Sequence, residues 1–104
     1  MEVRFFDGTL EKFINNLDDR TIAKTLRTID LLERFGHELS MPHSKKINNR
    51  IFELRVRGQQ EVRIFYTYHK HVVVLLHGFI KKSQKTPRKE LSIAVTRVHA
   101  LDIL

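Results

Sequence analysis

The residue types that could act on a phosphodiester are concentrated in the second half of the chain. Residues 52–57 alternate, so a strand there sets Glu53, Arg55 and Arg57 on one face and Phe52, Leu54 and Val56 on the other. If Arg63 of the following run shares the charged face, Phe65 lies beside it. In the run after that, His77, Phe79 and Lys81 share a face. Such a surface mixes cations, which hold phosphates, with rings, which stack on splayed bases, and that combination suits single-stranded RNA. An arginine in mid-strand among apolar residues needs an anionic partner, which Glu53 and Glu61 could also supply. Lys81 and Lys82 end the longest strand, close to Lys85, Arg88 and Lys89. Alternation lets only one of the pair point at the site unless the strand bulges. The start of the last helix is also near and favours anions. His77 faces either the core or the site, and as a site residue it is a general acid or base.

RNA carries its own nucleophile, the 2′-hydroxyl. A protein need only hold the backbone in line, take the hydroxyl proton, neutralise the phosphorane and protonate the leaving 5′ oxygen. Arg and Lys stabilise the charge, and a lysine crowded by cations gives up its proton more readily. There is no phosphate-cradling glycine loop, no G-x-S-x-G and no paired acidic cluster for two metals. His69 and His71 form an H-x-H pair without a third ligand at suitable spacing. No metal or other cofactor is expected. His37, His43 and His99 read as surface residues.

The charge distribution points the same way. Residues 1–44 hold six Lys+Arg against eight Asp+Glu, whereas residues 45–104 hold thirteen against four, so the net +7 arises entirely in the later part. That asymmetry favours a polyanion partner, and Lys45 and Lys46 at its beginning add to the expected binding surface. The 104 residues and their 41% hydrophobic content suit one domain, residues 1–104, with a packed core. No cysteine is present, which excludes a disulfide scaffold and fits a reducing compartment. No apolar run approaches the ~20 residues of a spanning helix, and no signal core follows the strand-like start. A soluble, cytoplasmic protein with no membrane association is expected.

These residues need a scaffold. Residues 3–6 read as a strand. Asp7 offers a helix cap before Leu10, Phe13, Ile14 and Leu17. Asp18 or Asp19 caps a second helix whose apolar stripe is Ile22, Leu26, Ile29, Leu32 and Phe35, with Gly36 as its stop. The resulting hairpin reads mainly as half of a core packed on a sheet; a surface for a partner protein is the alternative. Residues 37–50 are polar and irregular. Three strands follow, with turns at Gly58-Gln59-Gln60 and His69-Lys70, the last strand being the apolar run Val72 to Ile80. Thr86 as cap and Pro87 as first helical residue open a final helix bearing Leu91, Ala94, Val95, Val98 and Leu101. The expected fold is α+β, in the order β-α-α-β-β-β-α, with an antiparallel meander and residues 3–6 at an edge.

Ile51-Phe52-Glu53-Leu54-Arg55, Val62-Arg63-Ile64-Phe65-Tyr66, the run from Leu75 to Pro87, Glu90-Leu91 and Ala94 resemble the phage-derived HigB-like branch of the RelE/ParE toxin superfamily. The resemblance covers nearly the whole chain and is most specific from Leu75 to Pro87. It implies a RelE-like fold and the toxin of a toxin–antitoxin pair, usually a ribosome-dependent endoribonuclease that cuts messenger RNA. Its basic positions fall on Arg55 with Arg57, on Arg63, and on Lys81 and Lys82. Carried over, Arg63 and Lys82 hold the scissile phosphate and Arg55 orients it or moves protons. Lys81 or His77 is the remaining proton-transfer group. Asp102-Ile103-Leu104 matches neither the C-terminal tyrosine that some RelE enzymes stack on RNA nor the histidine- and aspartate-containing tail of some HigB enzymes, and Phe65 or Phe79 would replace the stacking ring. The resemblance also implies a helix-turn-helix, HigA-like antitoxin. Two other readings stay open: a ParE-like gyrase poison and a non-catalytic nucleic-acid-binding module.

Overall fold

The computed structural model describes residues 1–103. Its elements run β1 (Val3–Phe5), α1 (Gly8–Asn15), α2 (Asp19–Phe35), a 3-10 turn (Gly36–Glu38), β2 (Ser44–Lys46), β3 (Phe52–Val56), β4 (Val62–His69), β5 (Val72–Ile80) and α3 (Arg88–Ile103). The fold is α+β, as the sequence leads one to expect.

Side-chain caps start both helices of the hairpin. The Asp7 carboxylate accepts from the Thr9 N–H at 2.9 Å, and the Asp18 carboxylate from the Thr21 N–H at 2.8 Å. Leu10, Ile14 and Leu17 are buried beneath α1. The buried side of α2 keeps part of the expected apolar stripe: Leu32 is buried, and Ile22 and Ile29 pack partly buried against the same core. Thr21, Thr25 and Thr28 complete the buried row, while Leu26 and Phe35 are 52% and 51% exposed. The helix is thus rotated toward its threonines, whose small side chains suit close packing on β3. A threonine hydroxyl can also bond the preceding turn, as Thr28 does to the Lys24 carbonyl at 2.8 Å.

The sheet has five strands in the order β1-β5-β4-β3-β2. β1 does occupy an edge, but it runs parallel to β5, so the sheet is mixed rather than antiparallel throughout. The intervening helices and strands supply the long crossover that a parallel pair requires. β2 lies within the segment expected to be irregular. It is three residues long, too short to show a period, and is held by antiparallel pairing with β3 and by the bond between the Ser44 and Tyr66 hydroxyls. The β4–β5 turn is Lys70-His71, one position later than expected. Both residues have positive φ, 49° and 65°, as a two-residue hairpin with right-handed strand twist demands.

β5 contains a bulge that decides what faces the site. Phe65 pairs with His77 but Tyr66 pairs with Leu75, so Leu76 is an extra residue. The strand alternates in the ordinary way up to Leu76, and the extra residue then shifts the phase. Val74 and Leu76 therefore lie on the same face as His77 and Phe79, which is the face packed by α3. Gly78 lies on the hairpin face, where an added Cβ would come within 2.6 Å of Leu10 Cδ1. One apolar cluster joins the hairpin to Leu54, Val56, Val62, Ile64, Tyr66, Val73 and Leu75. A second joins α3, through Ala94, Val98 and Leu101, to Ile51, Phe65, Val74, Leu76 and Phe79.

Candidate active site

Strand register aligns the chemistry-bearing residues in two rows across the α3 face. One row runs Lys45, Glu53, Phe65, His77; the other runs Arg55, Arg63, Phe79. Arg63 thus shares the face of Arg55, with Phe65 beside it. Lys46 falls on the opposite face of the three-residue β2, so only Lys45 of that pair belongs to this surface. Both lysines are exposed.

Glu53 is the hub. Its side chain is 2% exposed, and Oε1 lies 3.5 Å from Arg55 Nε and 3.9 Å from Arg63 Nε. Arg63 is 3% exposed; it donates to the Val62 carbonyl at 3.0 Å and to Glu61 Oε1 at 3.3 Å. Glu53 and Glu61 are therefore the anionic partners that buried arginines require. The Thr86 hydroxyl donates to Glu53 Oε2 at 3.5 Å. That bond corrects the expected cap: α3 begins at Arg88, the Pro87 carbonyl accepts from the Glu90 and Leu91 N–H groups, and Thr86 ties the preceding loop to the charge network.

Above this network lies a cleft of about 380 Å³ bounded by Arg55, Arg57, Glu61, Arg63 and the segment Lys81–Gln84. The Lys81 N–H donates to the Glu61 carbonyl at 2.7 Å, extending the β4–β5 ladder one step and fixing where the basic segment leaves the sheet. Lys82 and Arg57 are exposed, Lys81 and Arg55 are half-buried, and Arg63 forms the floor. The Gly58 backbone N–H, donating at 2.9 Å, holds the Glu61 carboxyl below the usual carboxylate range, and Arg63 and Arg57 act in the same sense. The cleft thus presents a surplus of cations around one carboxylate, an arrangement chemically suited to an anion such as a phosphate.

Other expected site residues are placed elsewhere. Phe65 is fully buried and Phe79 is 7% exposed; their rings pack 5.4 Å apart beneath α3. They are core residues, and Phe65 has no open face for a base. His77 is on the expected face but outside the cleft. Its Nε2 lies 2.9 Å from Glu90 Oε2 in a neighbouring hollow that shares Lys82 and Ser83 with the cleft. Lys85 is exposed in the loop before α3 and does not line the cleft. Lys24 and Arg27 of α2 were not anticipated. They border a further hollow of about 300 Å³ that shares Arg55 and Arg57 with the cleft. Their spacing on the polar side of α2 is the signal for them in the sequence.

The description of the phage-derived Gp49-like proteins (DUF891) matches residues 12–99, which take in all the residues of the cleft. The chain belongs to this family. Gp49-like proteins are associated with toxin–antitoxin systems and related to RelE-like toxins. The three helices and five-stranded mixed sheet agree with a RelE-like arrangement. Membership implies a cognate antitoxin as partner. A search of curated proteins found no match. Among the described residues, no helix is long and apolar enough to cross a membrane.

Proposed function

We propose that this protein is the toxin of a toxin–antitoxin pair and a ribosome-dependent endoribonuclease that cuts messenger RNA. The observation that carries this reading is the cleft in which Arg55, Arg57, Arg63, Lys81 and Lys82 converge over the buried Glu53. The 2′-oxygen of the nucleotide attacks the adjacent phosphorus and loses its proton. The bond from phosphorus to the 5′-oxygen breaks, and that oxygen takes up a proton. The products are a 2′,3′-cyclic phosphate and a 5′-hydroxyl end. Lys82 and Arg55, both reachable from solvent, hold the phosphate oxygens, while Arg63 adds positive charge from the floor. Lys81 is the proton-transfer group, since His77 is held by Glu90 outside the cleft. The reaction so described needs no metal. A helix-turn-helix, HigA-like antitoxin that neutralises the toxin belongs to the same proposal.

The test is a pulse of expression without antitoxin in bacteria, followed by mapping of messenger RNA 5′ ends. Cuts at fixed positions within translated codons, lost when translation is blocked, are expected. Lys82→Ala should reduce cutting by about 100-fold, the loss typical of removing one stabiliser of transition-state charge. Lys82 is exposed, so the fold should be retained. Undiminished cutting by both Lys82→Ala and Arg55→Ala would overturn the site. Growth arrest with intact message would point to a gyrase poison, and no arrest to a binding module.

A further inference from the structure

β1 pairs with β5 over Val73–Leu75, so among the described residues that edge of β5 carries no strand from Leu76 to Ile80. Along it lies a hollow of about 480 Å³, walled by Phe13 of α1, by His77 and Phe79 of β5, and by Glu90 of α3. Lys82 and Ser83 border both this hollow and the cationic cleft, so the two are contiguous. An RNA strand with a phosphate in the cleft would therefore bring a neighbouring base to the hollow.

We infer that this hollow is the base-reading subsite of the nuclease and selects guanine next to the scissile phosphate. The inference rests on the endoribonuclease reading above. The half-buried Phe13 side chain offers apolar surface to a base plane, with a small contribution from the 7% of Phe79 left exposed. The polar lining comprises His77, Lys82, Ser83 and Lys89 together with a single carboxylate, Glu90, which is 19% exposed and has Oε2 fixed by His77 Nε2 at 2.9 Å. Among the described residues, Oε1 accepts no hydrogen bond. An ionised carboxylate is an acceptor only, with about four lone-pair sites over its two oxygens, of which His77 occupies one. Guanine alone among the RNA bases sets two N–H donors side by side on its Watson–Crick edge, and these match the two oxygens. Adenine, cytosine and uracil each place an acceptor next to their donor there, opposite a carboxylate that can only accept. His77 is in this scheme a positioning residue, which keeps the carboxylate turned into the hollow. The bulge at Leu76 makes that possible by bringing His77 to the α3 face.

The test uses the full chain and uncleavable dinucleotides carrying a 2′-O-methyl group, with amide chemical shifts followed by NMR. Guanine-containing dinucleotides should bind at least about 10-fold more tightly than their adenine counterparts, shifting the amides of Gly78, Phe79, Ser83 and Glu90. Glu90→Gln is nearly isosteric and should reduce the preference to less than about 2-fold while phosphate binding at Lys82 persists. Equal binding of guanine and adenine by the unsubstituted protein, or an unchanged preference in Glu90→Gln, would overturn the inference. The assay needs neither ribosome nor cleavage, so the two readings fail separately. Guanine selectivity without messenger cutting leaves the subsite standing and removes the nuclease. Cutting without guanine preference does the reverse.

Discussion

The two faces of the sheet are built from the same strands but are closed differently. On the hairpin face, α1 lies over β5 and α2 over β3, so hydrocarbon runs across the whole meander from Leu75 to Leu54. On the other face, α3 lies over β5 and β4, and its apolar cluster reaches from Leu76 through Phe65 to Ile51, just before β3. Beyond α3, β3 presents Glu53 and Arg55, with Arg63 beside them. The apolar face meets the needs of stability, since burial of apolar surface is the main favourable term in folding. The partly uncovered face carries buried charge, which is expensive to desolvate and weakly stabilising even when paired. Charge is retained where the fold leaves an opening, and the opening is where a ligand can reach it.

The sharpest way to break this comparison is to remove the hub. Glu53→Ala leaves Arg63 buried and short of its partner and should cost about 3–5 kcal/mol of unfolding free energy, read by urea denaturation. A paired replacement, Glu53→Met with Arg63→Leu, should recover most of that loss, because apolar side chains of similar volume tolerate such a site. On the endoribonuclease reading, the pair should recover stability but not RNA cutting, because it lacks Arg63. If the paired variant remains as unstable as Glu53→Ala, the network is a stability device and the contrast between the faces fails.

Much of this contrast was legible in the sequence. The period of two from Phe52 to Tyr68 assigned the strands and put Glu53, Arg55 and Arg57 opposite the core. The Asp7 and Asp18 caps, Gly36 and the basic residues around Lys81 were equally readable. Three features were not. The buried row of α2 is threonine-rich, and no hydrophobicity pattern can favour Thr21, Thr25 and Thr28 over Leu26 and Phe35. The bulge at Leu76 sits inside a continuous apolar run, where both phases look alike, so nothing local marked the shift that aims His77 at α3. The third is burial depth. Phe65 belongs to the face of Arg63, but alternation cannot say that α3 closes over one and leaves the other at the floor of a cleft. Distance along the sheet from a helix eighty-eight residues into the chain is a tertiary fact.

A smaller effect tests the hairpin side. Gly78 faces α1 just past the bulge, and an alanine methyl there would meet Leu10 Cδ1 at 2.6 Å and Phe13 at 3.0 Å. Both belong to side chains packed in the core, so the methyl must push α1 outward or distort β5. Gly78→Ala should cost about 1–3 kcal/mol, the usual range for overpacking, and lower the melting temperature accordingly. Phosphate affinity at the cleft should change little, because the clash is on the opposite face. A variant of unchanged stability but impaired phosphate binding in the cleft, which neither Gly78 nor Phe13 lines, would mean that the faces are coupled through β5.

The weakest effect is common to both faces and separates them only by which carboxylate is titrated. Asp7 is held below its ordinary value of 3.8 by the Thr9 hydroxyl and N–H, and Asp18 likewise by Thr21. Glu61 is held below its ordinary 4.5 chiefly by the Gly58 N–H, with help from Arg63. For a carboxylate depressed in the folded state, the unfolded chain binds the proton first. The stabilisation is therefore fully present above the ordinary value and is lost as pH falls through the folded one. Unfolding measured by urea at successive pH values should show stability declining from about pH 5 downward. Asp18→Asn keeps a cap without a charge and should flatten that decline through its effect on α2. Glu61→Gln should flatten it as well, and it should also weaken the pH dependence of phosphate binding in the cleft, since of these three carboxylates Glu61 alone lines that site. If Asp18→Asn altered phosphate binding as much as Glu61→Gln, the caps and the cleft would be one electrostatic unit rather than two.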